Sequence, residues 1–448
     1  MRFPAIPPNP DKLFEALLKN KKKMASLEPL RRLVVELPYD HWDKMRFRPV
    51  PEPFSPQDLW AIAKMNRRFS RRELPFLDTK GDAFGYVATG EFQRALHEID
   101  SHARGMIGVS GAAASSEGRD VYLQKSLIEE PFSSSVLEGA ATTREIARKM
   151  IEEARQPKTL GERMVLNNYE AMVFVREHRD EPMTPARILE IHRILTKDTL
   201  SRPEKCGVLR APDDDVRVVD AITGETLHSP PPADELTDRL QKLCDLANAA
   251  LTDGEFLHPI IRAVLLHFQL AYDHPFWDGN GRTARALFYW CVLRHGYWLL
   301  EYVSISAVIM RAPLQYGTAF LYTETDECDV TYFINHQLEV IEKSIADLHA
   351  YLAKKAEELR ALAKTLGILQ RLLNHRQLPL IQHALKHNKS RYTIADHGRL
   401  HGVSYLTART DLEALARMGF LKKTKEGVQS VFLVPENLSE RLERRAAA

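Results

Sequence analysis

The chain has 448 residues, of which 44% are hydrophobic, so it is long enough for about three domains that each bury a core. Its 62 Lys and Arg residues nearly balance its 60 Asp and Glu residues, and the net charge of +2 does not indicate a nucleic-acid coat protein or a polybasic membrane binder, so any basic patch must be local. The sequence holds no run of about 18 apolar residues, so we expect no membrane partner. The first residues lack the apolar region of a secretory signal, and the cysteines form no Cys-x-x-Cys pair. We therefore expect a cytoplasmic protein with reduced thiols.

Composition and periodicity divide the chain into parts. Prolines, and a run of small residues at 108–118 that is typical of a linker, predict an N-terminal accessory domain over residues 1–115. Apolar residues at helical spacing predict a helical core over 116–340. Within it, β-branched residues and a Thr-Gly turn at 216–232 predict a short β-hairpin. A long helical pattern after residue 329 predicts a connecting helix, which we assign to 341–367, so the predicted fold class is mostly α.

The most informative segment runs from His274 to Arg285 and reads His-Pro-Phe-Trp-Asp-Gly-Asn-Gly-Arg-Thr-Ala-Arg. It combines a titratable base, a carboxylate, a glycine-bounded turn and two arginines. Pro275 and the Gly-Asn-Gly run interrupt a helical pattern that resumes at Arg282, so the glycines lie at a helix N-terminus. Free backbone N–H groups and the helix dipole favour an anion there, and glycine lets a phosphate approach closely. The segment therefore predicts a phosphate-binding site beside a base.

Two other nucleotide-binding fingerprints do not fit this segment. Gly279-x-Gly281-x-x-Ala284 matches the loose dinucleotide-binding pattern, but that pattern must follow a strand and here it follows a helical segment. The sequence also contains no Gly-x-x-x-x-Gly-Lys-[Ser/Thr] loop, which excludes P-loop chemistry.

The segment closely resembles the signature of the Fic family, His-x-Phe-x-[Asp/Glu]-Gly-Asn-Gly-Arg-x-x-Arg, at every specified position. The helical pattern from His258 to His267 is similar to the helix that precedes the signature in that family, and residues 207–219 with the prolines at 230–232 are similar to its flap. The resemblance covers roughly residues 120–340. It implies a helical Fic-type core with a small β-hairpin flap.

The resemblance implies a role for each matched residue. His274 would be the general base that takes the proton from a protein hydroxyl. Asp278 would hold Mg²⁺ as a cofactor between the nucleotide phosphates. The backbone of Gly279, Asn280 and Gly281, with the Asn280 side chain, would form an anion hole, and Arg282 and Arg285 would grip the β- and γ-phosphates. The hydroxyl would attack the α-phosphorus of ATP, so that AMP is transferred and pyrophosphate is released.

An upstream segment, Ser-Ser-Val-Leu-Glu-Gly at 134–139, resembles the family's inhibitory motif, [Ser/Thr]-x-x-x-Glu-[Gly/Asn]. The resemblance makes Ser134, Glu138 and Gly139 candidate inhibitory residues. Glu138 paired with Arg285 would occupy the guanidinium that should hold the γ-phosphate, so ATP would bind unproductively. The alternative is a serine-capped helix with an ordinary exposed glutamate.

Arg217, Val218 and Val219 are candidate residues of a target-binding flap. As an edge strand they would align the protein target by adding it to the hairpin. The alternative is a simple surface hairpin.

The last part of the chain, residues 368–448, resembles a winged helix-turn-helix domain. A short helical pattern is followed by a turn at Gly402, a second helix from Ser404 and two strands. Nine Lys and Arg residues against three acidic residues between Lys386 and Lys425 favour a basic face. DNA binding and a protein contact both stay open.

The sequence thus predicts a protein adenylyltransferase that uses ATP and Mg²⁺ to modify a Ser, Thr or Tyr hydroxyl of a protein target, itself included, and that Glu138 inhibits. A homodimer stays open. One alternative is a DNA-binding regulator whose Fic core senses a nucleotide, and another is a Fic enzyme that uses a different nucleotide or removes AMP. The intact His274 favours catalysis, because sensing needs no base.

Overall fold

The computed structural model describes residues 2–104, 127–220, 223–250, 256–387, 390–426, 429–438 and 440–442. The predicted linker at 108–118 lies outside these residues. Contacts group the chain into two compact units, the first of which runs to Ala350, while the second starts at Tyr351. The division into four parts stays a prediction.

The N-terminal residues 2–104 combine helices with a two-stranded antiparallel sheet. Their elements are α1 (Pro10–Lys19), α2 (Lys21–Ala25), α3 (Glu28–Glu36), α4 (Trp42–Met45), α5 (Pro56–Phe69), β1 (Arg71–Leu77), β2 (Ala83–Val87) and α6 (Gly90–Ala103). Ser55 and Asp58 form a capping box that starts α5. Lys64 of α5 forms a buried ion pair of 2.8 Å with Asp326. This pair joins the N-terminal residues to the helical core within the first unit.

The core of the first unit is a set of helices around one central pair. These helices are α7 (Glu129–Leu137), α8 (Arg144–Glu152), α9 (Leu160–Glu177), α10 (Pro185–Thr196), α11 (Leu236–Asn248), α12 (Pro259–Asp273), α13 (Asn280–Arg294), α14 (Ile305–Ile309), α15 (Pro313–Thr325) and the start of α16 (Thr331–Leu372). Short 3₁₀ turns lie at Pro203–Lys205, Ala233–Glu235 and Trp298–Tyr302. Helices α12 and α13 pack against each other, and α9, α10 and α11 contact the pair. Every residue of α12 except Ala271 is buried, as expected for a helix that is apolar on nearly all sides.

The predicted hairpin is present between α10 and α11. Strands β3 (Val218–Val219) and β4 (Thr226–His228) pair antiparallel, with Val218 opposite His228. A mostly helical fold with small antiparallel sheets confirms the predicted fold class. The hairpin lies at one end of α12, which places it beside the turn that leads into α13.

The second unit has its own apolar core, formed by residues such as Ile381, Leu412 and Phe432. Its elements are α17 (Gln377–Lys386), β5 (Arg391–Thr393), α18 (Ile394–His401), α19 (Tyr405–Arg417), β6 (Lys422–Glu426) and β7 (Gln429–Leu433). The sheet order is β5-β7-β6, and both pairings are antiparallel. Gly402 ends α18 with φ 63°, and the Ser404 side chain caps α19, so the predicted helix, turn and helix are present. The winged-helix assignment stays a prediction, and DNA binding and a protein contact both stay open.

Across the part of the chain that the structure describes, no helix combines the length and the apolar content needed to cross a bilayer.

Candidate active site

The turn between α12 and α13 holds the predicted base. His274 ends α12 in the left-handed conformation, with φ 46° and ψ 54°. This backbone costs about 1–2 kcal/mol for a residue with a Cβ, and such residues cluster at functional sites. Arg210 supports the conformation, because its Nε donates to the His274 carbonyl at 2.9 Å and its backbone N–H donates to the Pro275 carbonyl at 2.9 Å.

The His274 imidazole has the protonation state that a general base needs. Its Nδ1 lies 3.1 Å from the Ala271 carbonyl oxygen. Because a carbonyl oxygen only accepts hydrogen bonds, Nδ1 carries the proton and Nε2 is the nitrogen that can accept one. Burial lowers the pKa of His274 to about 4. The ring is therefore neutral near pH 7.

Hydrogen bonds and one ring stack fix the loop that follows His274. The buried Phe276 ring stacks on His192 with centroids 3.8 Å apart. His192 donates from Nε2 to the Asp278 carbonyl at 2.8 Å and accepts at Nδ1 from the Gly207 N–H at 3.1 Å. The Asn280 side chain bonds both the N–H and the carbonyl of Phe276, each at 2.9 Å. The Asn280 side chain thus holds the turn closed, and the Asn280 backbone N–H is the group that could bind an anion.

Sequence reasoning missed two residues that build this site, His192 and Arg210. The signal for His192 was a histidine in the apolar stripe of a helix, and for Arg210 it was an arginine in the flap-like segment 207–219. Both side chains donate to backbone carbonyls of residues 274–278. Because every residue has a backbone carbonyl, the side-chain types in the sequence do not show which carbonyls will be bound.

Positive charge is concentrated at the start of α13. Gly279 precedes the helix with φ 84°, a conformation that favours glycine. The first backbone N–H groups of a helix have no partner within it and attract anions. Arg282 and Arg285 add two guanidinium groups whose side chains are 1% and 2% exposed. A phosphate chain would find both kinds of donor here.

Glu138 occupies this positive region. Its Oε1 accepts from Arg285 Nη2 at 2.8 Å, and a Cβ added at Gly281 would come within 2.2 Å of the same oxygen. The carboxylate therefore lies directly over the first turn of α13, where Gly281 makes room for it. Burial raises the pKa of Glu138, but the ion pair with Arg285 outweighs this effect and leaves the pKa below its usual value.

Helix α7 presents Glu138 through contacts at both of its ends. Ser134 accepts from Arg285 Nε at its hydroxyl, 2.9 Å away, and from Nη2 at its carbonyl. Gly139, with φ 90°, ends the helix in a turn in which the Ala140 N–H donates to the Ser135 carbonyl at 2.9 Å. At the start of α7, the buried Glu130 accepts from Ser304 Oγ at 2.8 Å and from the N–H and Oγ of Ser306 at 3.0 and 2.6 Å.

Asp278 has the position and exposure that a hard cation requires. Its side chain is 55% exposed, and one oxygen accepts from the Gly279 N–H at 2.5 Å. Within the described ranges, no three His, Cys, Asp or Glu side chains form a cluster that could hold a metal ion. A single exposed carboxylate beside a phosphate site nevertheless suits Mg²⁺, which usually keeps several waters and binds one or two carboxylates together with substrate phosphates.

A cavity of about 330 Å³ brings these groups together with the hairpin. Its lining includes Glu138, Val218, His228, His274, Gly281, Arg285 and Tyr316. Val218 and Val219 form β3, and Val219 is 52% exposed, so the strand borders the base on one side and solvent on the other. Arg217 pairs with Asp215 at 2.8 Å on the surface. His274, Gly281 and Arg285 of the predicted segment thus share this cavity with Glu138 and with residues of β3, β4 and α15, whereas the predicted Asp278, Gly279, Asn280 and Arg282 are not part of its lining.

Comparisons with known proteins identify relatives of the chain. Residues 182–292 match the Fic/DOC family. A protein adenylyltransferase Fic from Nematostella vectensis is 28% identical over 237 residues, which are 52% of this chain and 50% of the relative. A protein of the same name from Drosophila willistoni is 40% identical over 70 residues, which are 16% of this chain and 14% of the relative. The chain thus spans half or less of the length of these curated relatives.

A solved structure is similar to most of the chain. The crystal structure of a Fic family protein from Desulfovibrio desulfuricans G20 is 20% identical, with a TM-score of 0.52, and the match covers 78% of this chain and 98% of that chain. At this identity the likeness shows the fold alone.

The ion pair over α13 predicts a stability change. Glu138→Gln keeps the shape of the side chain but removes the charge that compensates the buried Arg285. Leaving a charged group without its ionic partner is expected to cost about 1–3 kcal/mol. Thermal unfolding should show a lower Tm, whereas Glu145→Gln, which removes a surface pair with Lys149, should leave Tm nearly unchanged. Equal Tm values for the two variants would show that Glu138 contributes no more than a surface charge.

Proposed function

We propose that the chain, whose residues 182–292 match the Fic/DOC family, is a protein adenylyltransferase that transfers AMP from ATP to a Ser, Thr or Tyr hydroxyl of a protein. One observation carries the proposal. A neutral histidine with a free Nε2 lone pair shares a cavity with a helix N-terminus and a buried guanidinium. This combination suits transfer of a nucleotide rather than its sensing, since sensing requires no base.

Each residue of the site would have a separate role in the proposed transfer of AMP. Nε2 of His274 takes the proton of the attacking hydroxyl, whose oxygen forms a bond to the α-phosphorus. The bond between the α-phosphorus and the bridging oxygen breaks, and the electron pair leaves with pyrophosphate. Backbone N–H groups at the start of α13 and the guanidinium groups of Arg282 and Arg285 hold the phosphate charges. The left-handed backbone of His274 and its bond to Ala271 fix the direction of Nε2.

Asp278 would hold Mg²⁺. The ion, when bound, neutralises phosphate charge and orients the phosphate chain. The Gly279 N–H and the His192 bond to the Asp278 carbonyl fix the backbone on which the carboxylate stands.

Glu138 would inhibit the enzyme through Arg285. As long as the carboxylate pairs with this guanidinium, the γ-phosphate lacks its partner and meets a negative charge over the first turn of α13. ATP would then bind with its phosphate chain displaced from the position in line with His274.

Removing the inhibitory carboxylate is predicted to raise activity. Glu138→Gly should increase transfer from labelled ATP, self-modification included, because Arg285 becomes available to the γ-phosphate. Arg285→Ala in the same background should remove the gain. If transfer by Glu138→Gly is equal to or below that of the unmodified protein, the inhibitory role is wrong.

The pH dependence of transfer is predicted from His274. The base works in its neutral form, so kcat/KM should show no decline on the acid side until the pH falls below about 5 and approaches the pKa of about 4. An unperturbed imidazole would already be half protonated at about pH 6.5. The same profile is expected in the Glu138→Gly background. Glu138 raises the pKa of His274, so its removal lowers that pKa further and His274 stays neutral over the same pH range.

His274→Ala is the control for this profile. It should reduce transfer by about 10²-fold or more at every pH while binding of ATP is retained, because the phosphate contacts stay. Transfer by His274→Ala at the parent rate would show that another group is the base.

The metal site is predicted to depend on one carboxylate. Asp278→Ala in the Glu138→Gly background should bring transfer close to zero and remove its response to Mg²⁺, because the ion loses its protein ligand in the turn. A magnesium titration of both proteins measures this. A response in Asp278→Ala that matches the parent would exclude Asp278 as the ligand.

A further inference from the structure

His228 lies at the end of β4, between the hairpin and two helices of the core. Its side chain is 9% exposed and its ring lines the cavity that holds His274. Nδ1 lies 3.0 Å from the Glu324 carboxylate on α15, and Nε2 lies 2.7 Å from the Tyr272 carbonyl on α12. The two ring nitrogens therefore connect the hairpin to both helices.

Both partners of the ring are acceptors. A backbone carbonyl has no proton to donate, and an ionised carboxylate has none either. A neutral imidazole has one N–H group and could satisfy one of them, while its lone pair would face the other. Only the imidazolium form donates at both nitrogens, and bonds from a charged donor are the stronger ones.

We infer that His228 is a positioning residue whose imidazolium bonds α12 and α15 and so fastens the β3–β4 hairpin to both helices. We call these two bonds, to Tyr272 and Glu324, the clip. The clip holds β3 at the distance from His274 that a protein substrate requires. The inference rests on the proposed function, because it assigns the hairpin to the alignment of the protein that receives AMP. His228 pairs with Val218 across the hairpin, so the clip acts on the strand that borders the cavity.

The charges around the ring favour the imidazolium. Glu324 faces it from α15, Tyr272, Asp273 and His274 face it from the end of α12, and Glu138 and Arg285 lie across the cavity. Burial lowers the pKa of His228, but the bonds to Glu324 and Tyr272 outweigh this effect and place the pKa above its usual value. A raised pKa means that the clip is complete below about pH 6.5 and is lost as the pH rises through the raised value.

Two histidines in one cavity thus need opposite protonation states. His274 must be neutral to accept a proton, and its pKa of about 4 meets this need. His228 must be charged to hold the hairpin. Transfer to a protein is therefore fastest between the two pKa values, and its decline on the alkaline side belongs to the hairpin rather than to the base.

The first measurement uses hydrogen exchange and needs no activity. In the full-length protein, amides in the segments 216–220 and 226–228 are compared, at one pH, between the parent, His228→Gln, Glu324→Gln and the surface control Glu145→Gln. We expect exchange roughly 10-fold faster in the first two variants, as for the loss of a hydrogen bond to a charged group, and unchanged in the control. Equal protection in all four proteins would overturn the inference.

The pH dependence separates the clip from a merely structural contact. Glu324→Gln keeps an acceptor for Nδ1 but removes the charge that sustains the imidazolium, so protection of the hairpin should disappear at a lower pH than in the parent. Asp273, whose pKa burial raises to about 6, is present in both proteins, so its own titration is common to the two. A transition at the same pH in both proteins would show that His228 is not the titrating group.

The second measurement uses self-modification by labelled ATP in the Glu138→Gly background. His228→Gln should lower the maximal rate of self-labelling about 10-fold while the half-saturating ATP concentration stays within about twofold, because the hairpin aligns the acceptor and not the nucleotide. No self-labelling in the Glu138→Gly parent would contradict the proposed function, while the hydrogen-exchange result still decides the role of His228. Self-labelling that is equal with and without His228 would contradict the inference alone.

Discussion

The charge of the buried Arg285 guanidinium is stabilised by an anion, and the site is built around this interaction. Its side chain is 2% exposed and lies on the first turns of α13, where the helix dipole adds positive charge. Without a negative partner the desolvation of this group would destabilise the fold by about 1–3 kcal/mol. Glu138 supplies the charge from α7 in the present structure, and a triphosphate would supply it in the proposed reaction. In the proposed reaction Glu138 and the triphosphate would therefore compete for Arg285, so the ion pair that stabilises the fold would also oppose transfer.

Two histidines that line the same cavity differ in protonation because their hydrogen-bond partners differ. The Nδ1 of His274 faces one carbonyl and its Nε2 is left to accept, so burial dominates and the ring stays neutral. His228 faces a carbonyl and a carboxylate, so its partners overcome a comparable burial and favour the charged ring. Because both rings lie near the end of α12, the difference arises from single contacts and not from the general polarity of the region.

The parts of the site that are local in sequence could be predicted from the sequence. The break at Pro275, the glycines and the resumption of the helical pattern place the turn and the start of α13, and the structure has helices that end at Asp273 and begin at Asn280. The pair formed by Glu138 and Arg285 is 147 positions apart and followed from the family resemblance alone. The roles of His192 and Arg210 could not be predicted, because they bond backbone carbonyls of distant residues. The contacts of His228 could not be predicted either, because its two partners, the Tyr272 carbonyl and the Glu324 carboxylate, are far from it in sequence. A carbonyl is present at every position, so no pattern of side chains marks the one that a buried ring or guanidinium will bind.

The contacts that hold α7 in place limit how the proposed inhibition by Glu138 could be released. At its start, Glu130 accepts three hydrogen bonds from Ser304 and Ser306, and its burial makes those bonds expensive to break. In the middle, Ser134 is 1% exposed and bonds Arg285 through both its hydroxyl and its carbonyl. Glu138 lies beyond these contacts, at the residue where the helix already ends in the turn at Gly139, and its side chain is 26% exposed. Moving this side chain breaks one ion pair, whereas moving the helix breaks the bonds of Glu130 and Ser134 as well. Rotation of the Glu138 side chain, with α7 in place, would therefore be the less costly way to release the proposed inhibition, and it would leave the bonds between Ser134 and Arg285 intact.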